Sequence, residues 1–444
     1  MRRRIILAAI SFLLILGLVI PLGCKKPAPT PTPAPTPTPK PTPVVVKIGT
    51  MRDYTGPIAS VALRIWKGFD AFLEWLEEND PIPGVKVEVL WEDTAYTAER
   101  FISTYKKFKD AGCVLMINTS STANSVLGEL HRKDKIPCLS RSPGWIEGFF
   151  PKNVKEKGPS YTFYERLPYH DLFSAIAIHF MKKWKEAGYT EKPKLMFITW
   201  DVPYGRGMIP YGIPWAEQYG FEILPPQLFP KGVTDMTPYL LKAKELGANL
   251  VGMCSVPAHM ALLLKDARRL GIEFGIGPGK MQFFNGSEGH CPEQLTLGGE
   301  ACEGMWVASS NPNWDEDLKG VNLMKELQMK KYGKVEEYSH YFMGACHARN
   351  LWAALKRIVK EKGAQAISRK TLFESLCATK NLDMWGMTPN YTYSLYERRP
   401  YKTLYIHEIK GGKFVKVATV EVPWIVPEWE ELGLPGVRVK EYRR

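Results

Sequence analysis

The chain has 444 residues, 45% of them hydrophobic, which excludes a disordered polymer and leaves room for two domains. Its formal charge of +13 owes six charges to Arg2, Arg3, Arg4, Lys25, Lys26 and Lys40, all within the first 43 residues. Beyond residue 44 the basic residues occur as scattered pairs, so the stripe or cluster of a nucleic-acid binder is missing, and a mildly basic body suits a surface beside an anionic membrane.

Arg2 to Arg4 form a positive n-region, Ile5 to Ile20 an apolar run and Leu22-Gly23-Cys24 a small-residue cleavage point, the order of a secretory signal over residues 1–23. As an uncleaved anchor the run falls short of the roughly 18 to 20 residues of a spanning helix. Leu22-Gly23-Cys24 followed by Lys25-Lys26 resembles the lipobox of bacterial lipoproteins, which implies acylation of Cys24; Pro21 stands where that motif carries leucine. Residues 24–43 form a tether: proline at every odd position from 27 to 43 enforces polyproline II, at about 3.1 Å per residue and on the order of 50 Å overall. The body is therefore expected at the cell envelope, on its periplasmic or extracellular face, held to the membrane by a lipid.

From Val44 short β-rich runs alternate with amphipathic stretches. Val44 to Gly49 predicts a strand, and Ile65, Phe69, Phe72, Leu73 and Leu76 lie on one face of a helix. Strands follow at Val85 to Trp91, Cys113 to Ile117 and Ile136 to Ser140, with helices at Ala98 to Lys109 and Thr122 to Lys133. The scheme restarts at Lys194 to Trp200, continues through strands at Phe221 to Leu224 and Asn249 to Ser255 and a helix around Tyr239 to Leu246, and closes with a helix ending before Gly271. This alternation implies βαβ units and two doubly wound parallel-sheet α/β lobes. Ligands of such sheets sit beyond the strands' carboxyl ends, which directs attention to the residues after Ile117, Ser140, Trp200 and Ser255.

Catalytic signals are weak. Gly275, Gly277 and Gly279 before Lys280 fail the P-loop spacing, and Met281 stands where the magnesium-binding hydroxyl belongs. His340 and His347 share a helical face without a third metal ligand, and no nucleophile elbow or zinc-protease signature occurs. No enzyme activity, cofactor or metal is expected. Apart from Cys24 there are seven cysteines, an odd number, of which Cys291 and Cys302 are the candidate disulfide in an oxidising compartment; the alternative is buried, reduced thiols.

Several short motifs then become recognisable. Lys47-Ile48-Gly49, Thr55-Gly56-Pro57-Ile58-Ala59 with Gly68, Asp201 to Gly207, Thr234 to Pro238, Leu264-Lys265 through Gly271 and Gly299 to Met305 occur in an order that resembles the type I periplasmic binding proteins of branched-chain amino acid ABC transporters. The resemblance runs from Val44 to about Val422. It implies a three-segment hinge with crossings near Phe163 to Arg166, Gly277 to Met281 and Trp385 to Pro389. The first lobe would comprise 44–165 and 279–387, the second 166–278 and 388–444. It further implies a small carboxylate-bearing solute, a branched-chain or other hydrophobic amino acid, carried by a monomer to ABC permease subunits. Within the same fold the alternatives are an amide, urea, aromatic-acid or aliphatic-acid binder, or a sensing subunit for a receptor.

By the same resemblance Ser120 and Ser121 receive the ligand carboxylate, Ser142 and Gly144 adjoin it, Tyr204 faces the ligand, Glu288 pairs with its ammonium and Tyr338 supplies a late aromatic. Ser120 or Ser121 also fits the role of cap for the helix that follows. Three departures from the family pattern alter the pocket: the Ser140 to Trp145 segment lacks the usual threonine, and Val61 and Val256 replace aromatics. Arg141 and Trp145, if they face the cleft, favour a larger or more acidic ligand; otherwise they are a solvated charge and core packing.

Overall fold

The structure, a computed structural model, describes residues 42–143, 151–395 and 397–423. The expected signal, Cys24, nearly all of the expected tether and residues 424–444 lie outside the described residues, as do Gly144 and Trp145. No helix among the described residues is long and apolar enough to cross a membrane.

The first sheet is built from β1 (Val44–Arg52), β2 (Val85–Asp93), β3 (Leu115–Asn118), β4 (Cys138–Ser140) and β5 (Thr162–Tyr164), in the order β2-β1-β3-β4-β5, all parallel. Alternation along β1 sends Val46 and Ile48 to one face and Met51 to the other. The first face is covered by α1 (Ala59–Asn79), whose Phe69, Phe72 and Leu76 are buried as the spacing predicts. The second is covered by α2 (Ala98–Asp110) and α3 (Ser121–Asp134), through Phe101, Tyr105 and Leu127. Helix α4 (Pro151–Lys157) precedes β5.

After α5 (Tyr169–Glu186) the second sheet begins with β6 (Lys194–Trp200), followed by α6 (Pro203–Arg206), α7 (Ile209–Tyr219), β7 (Glu222–Ile223), β8 (Gln227–Phe229), α8 (Thr237–Leu246), β9 (Leu250–Met253) and α9 (Pro257–Arg269). Next come β10 (Gln282–Asn285), α10 (Pro292–Gly298) and β11 (Trp306–Ser309). The chain then returns to the first lobe as α11 (Lys319–Tyr332), α12 (His340–Lys362), which packs along α1, and α13 (Arg369–Cys377). It ends as the hairpin β12 (Thr403–Lys410) and β13 (Lys413–Glu421). The sheet order is β13-β12-β11-β10-β9-β6-β7, with β8 also on β6; β12 is antiparallel to β11, and the rest of the sheet from β11 to β7 is parallel.

Two expectations are corrected. β10 and β11 pair with β9 and β12, so residues 282–309 belong to the second sheet, not to the 279–387 portion assigned to the first lobe. The glycines at 275, 277 and 279 have φ of 132°, 142° and 75° and form a turn into β10 instead of a crossing between lobes. The passage between sheets comes later, at 310–318, where the Asn311 side chain donates to the Met387 carbonyl at 2.9 Å and the hydroxyls of Ser310 and Tyr401 meet at 2.6 Å. Cys291 and Cys302 are both free and buried; the Cys302 thiol lies beside the Gln294 amide and the Cys291 thiol beside the Glu288 carbonyl.

Helices α1 and α12 approach through two glycines. A Cβ on Gly344 would lie 1.8 Å from the Ile65 carbonyl oxygen, and one on Gly68 2.2 Å from that of Tyr341. A backbone carbonyl cannot rotate aside. Gly344→Ala is therefore expected to destabilise by about 3 kcal/mol, although alanine in an unobstructed helix would gain close to 1 kcal/mol. Thermal unfolding checks the sign, and an unchanged or raised Tm would contradict this packing.

Candidate functional site

The carboxyl ends of both sheets are held by side-chain amides and hydroxyls. In the first lobe Asn118 donates to Asn124 at 3.1 Å and accepts from the Ser140 hydroxyl at 3.0 Å, while Asn124 donates to Ser140 at 2.7 Å. The Ser142 hydroxyl donates to the Thr119 carbonyl at 2.6 Å. These bonds clamp the loops after β3 and β4 together. In the second lobe Asn285, at the end of β10, accepts from the amides of Ser255 and Gly286 and donates to the Ser255 carbonyl. That staple fixes the turn carrying Glu288.

Between these ends lies a cavity of about 40 Å³. The first lobe lines it with Thr119, Ser121, Arg141 and Ser142, and with Ile58, Val61 and Ile65 from the start of α1. The second lobe supplies Tyr204, Val256 and Glu288, and the first crossing Arg166 and Tyr169. Tyr96 completes one wall: Ala95 and Tyr96 have φ of 48° and 60°, left-handed backbone that non-glycine residues adopt at a cost. Buried Asp53 holds that turn by accepting from the Thr94 hydroxyl at 2.5 Å and the Tyr96 amide at 3.0 Å. The two lobes touch across the cavity, α3 against α6, and the hydroxyls of Ser121 and Tyr169 are 2.6 Å apart.

An ion pair dominates the electrostatics. Arg166, 1% exposed, donates from Nη1 to Glu288 Oε1 at 2.5 Å, and the Tyr204 hydroxyl donates to Oε2 at 2.8 Å. Burial would raise the Glu288 carboxyl, but the Arg166 charge and the hydrogen bonds from Arg166 and Tyr204 prevail and hold it at about 2, against 4.5 ordinarily. For Arg166, burial pulls downward and the Glu288 charge more than reverses it. Arg141 is also buried and donates from Nη1 to the Glu165 carbonyl at 3.0 Å.

Of the residues singled out in the sequence, Ser121, Ser142, Tyr204 and Glu288 lie together on the cavity wall. Ser120 is not part of that wall; its hydroxyl caps α3 by accepting from the Ala123 amide at 3.2 Å. Tyr338 stands outside it, with the Arg64 guanidinium 3.6 Å from its ring centre. Val61 and Val256 do face the cavity, and so does Arg141. His340 and His347 are buried on α12, His347 against the Glu165 carboxylate and stacked on Trp66, which accounts for them as core residues. Arg166 and Tyr169 are not among the residues the sequence singles out for the site, although their place shortly after β5, at a sheet's carboxyl end, is a signal of the same kind as Arg141 after β4.

The sequence matches the periplasmic binding protein family over residues 45–413. The chain belongs to that family. Among curated relatives, this periplasmic binding protein is 20% identical to Leu/Ile/Val-binding protein homolog 7 of Brucella suis biovar 1 (strain 1330), over 73% of this chain and 79% of the relative. A branched-chain amino acid ABC transporter protein from Thermus thermophilus, solved with bound valine, superposes with a TM-score of 0.74 at 22% identity, covering 85% of this chain and 96% of that one. A fatty acid ABC transporter substrate-binding protein from Thermomonospora curvata gives 0.68 at 18%, covering 88% and 95%. At these identities the solved structures establish the shared type I fold of parallel-sheet lobes.

Because the folded Glu288 value lies below the unfolded one, the stabilisation it contributes is full above about pH 4.5 and lost as pH falls toward 2. Glu288→Gln, which leaves Arg166 buried beside a neutral amide, is expected to cost about 3 kcal/mol near neutral pH. The Tm difference between wild type and variant should shrink over that acid range; a difference independent of pH would show that the pair does not form.

Proposed function

We propose that this periplasmic binding protein is the extracytoplasmic, lipid-anchored receptor of an ABC importer, a monomer that closes its lobes over a small carboxylate-bearing solute and presents it to the permease. The observation that carries this reading is the composition of the cavity: hydroxyls and Arg141 on the first lobe, an apolar wall of Ile58, Val61 and Ile65, and Tyr204 and Val256 opposite. Valine in the Thermus protein and the fatty acid in the Thermomonospora protein's name both join a carboxylate to an apolar body, the chemistry that such a lining suits. Catalysis has no part in it. A solute that touches both lobes only when they are closed shifts the hinge equilibrium by its differential affinity, and the tether after Cys24 would keep that motion clear of the membrane.

Ligand cavities usually hold roughly 300–1,000 Å³, against about 40 Å³ here, so the lobes must part to admit a solute. In a thermal-shift panel of amino acids, aliphatic acids, aromatic acids and amides, a true ligand at about 100 times its Kd should stabilise by about 2.7 kcal/mol. Small-angle scattering of the purified chain should then change on saturation, toward a smaller radius of gyration. A profile unaltered by a ligand whose binding has been proved separately would remove the closing mechanism.

Acylation of Cys24 is tested by fractionation. Cys24→Ala should leave an unprocessed or released protein, and unchanged partition into the membrane would refute the anchor.

A further inference from the structure

We propose that the solute is an apolar monocarboxylate with no ammonium group, and that Arg141 takes its carboxylate; this rests on the carboxylate-binding reading above. An amino-acid ligand needs an acceptor for its ammonium. Among the described residues lining the cavity the acidic side chain is Glu288, and both of its oxygens are engaged, Oε1 by Arg166 at 2.5 Å and Oε2 by the Tyr204 hydroxyl at 2.8 Å. An ammonium approaching Glu288 would meet the Arg166 guanidinium already in place, and like charges brought together in a water-poor site repel strongly.

Arg141 has the opposite need. It is 2% exposed, its Nη1 is satisfied by the Glu165 carbonyl, and its Nε and Nη2 are buried without a hydrogen-bond partner among the described residues. Those two N–H groups form the edge of the guanidinium that grips a carboxylate with two parallel bonds. The Thr119 hydroxyl, also buried and without a partner among the described residues, lines the same cavity. An uncompensated buried cation with idle donors is costly, and an incoming carboxylate relieves both the charge and the donors. With Arg166 neutralised by Glu288, the described lining carries one positive charge in excess, which an anion balances and a zwitterion does not. The rest of the solute meets Ile58, Val61, Ile65, Val256 and Met343, a wall for a hydrocarbon chain.

The test is titration calorimetry of the purified chain with three matched pairs that differ by the ammonium alone: 3-methylbutanoate and valine, 4-methylpentanoate and leucine, 3-phenylpropanoate and phenylalanine. In at least one pair the des-amino acid should bind about tenfold or more tighter than its amino acid. Arg141→Gln should abolish that binding, and Arg141→Lys, which keeps the charge but not the two-pronged edge, should weaken it; if neither variant folds, the three pairs on the wild-type chain still decide. Amino acids binding as tightly as their partners, or acid binding undiminished in Arg141→Gln, overturns the inference and leaves the carboxylate reading standing. Silence from all six compounds brings down both.

Discussion

Arg166 and Glu288 meet where the chain first crosses between sheets, and the cleft is arranged around that contact. Neither charge tolerates the interior alone: each ion loses several kcal/mol of hydration on burial, and the mutual attraction repays it only with good geometry and further hydrogen bonds. The protein supplies both. Tyr204 donates to the second carboxylate oxygen, the Asn285 staple sets the turn on which Glu288 sits, and the Tyr169 ring lies 5.1 Å from the guanidinium carbon of Arg166 and, edge-on, 5.1 Å from the Tyr204 ring. Ser121 in turn meets the Tyr169 hydroxyl. A residue of the first lobe, two of the crossing and two of the second lobe thus form one connected polar assembly, and moving any of them disturbs the rest.

The crossings support this assembly from behind. Tyr391 and Tyr393, in the 378–402 segment leading from α13 to β12, donate to the backbone carbonyls of Glu165 and Tyr164, and Arg398 donates to that of Ser160. Arg399 bonds Asp171 at 2.6 Å on α5. Buried tyrosine hydroxyls and guanidiniums satisfy the carbonyls that irregular backbone leaves without ladder partners. The chain around β5 and α5 and the segment leading into β12 are therefore bound to each other.

The sequence was readable wherever a local period decided the outcome. Phe69, Phe72 and Leu76 repeat at helical spacing, and β6 is legible because Leu195 to Ile198 is an unbroken apolar run buried on both faces. β8, β10 and β11 lie outside the strands that the pattern predicts. Their place is decided by neighbours distant in sequence, as when Phe284 pairs with Gly252, where any side chain would strike the Phe284 ring. The crossing at Gly277 to Met281 is what the family resemblance implies, and the glycines there make a turn into β10 instead. The site divided along similar lines. Positions after strand ends were legible, but Ser120 and Ser121 are adjacent, and only the helix geometry decides that one hydroxyl folds back as a cap while the other faces the cavity. Nothing in the order of residues could show that Glu288 would already be occupied, since its partner lies 122 positions away.

That occupancy changes what the familiar fold can recognise. In a cleft whose carboxylate is free, the two lobes present opposite charges and a zwitterion aligns between them. Here the carboxylate is answered from within the chain, so the polarity across the cleft collapses and the cation left over is Arg141, on the first lobe, beside hydroxyls that also donate. Both the charge and the donors then converge on one end of the solute, and Val61 and Val256 leave the other end to contacts that reward size and shape over charge. Recognition of this kind separates acids by chain length and branching only weakly, because each methylene is worth about 1 kcal/mol, whereas it separates an anion from a cation sharply. A binding protein so built would collect a class of acids, with the geometry of closure left to choose among them.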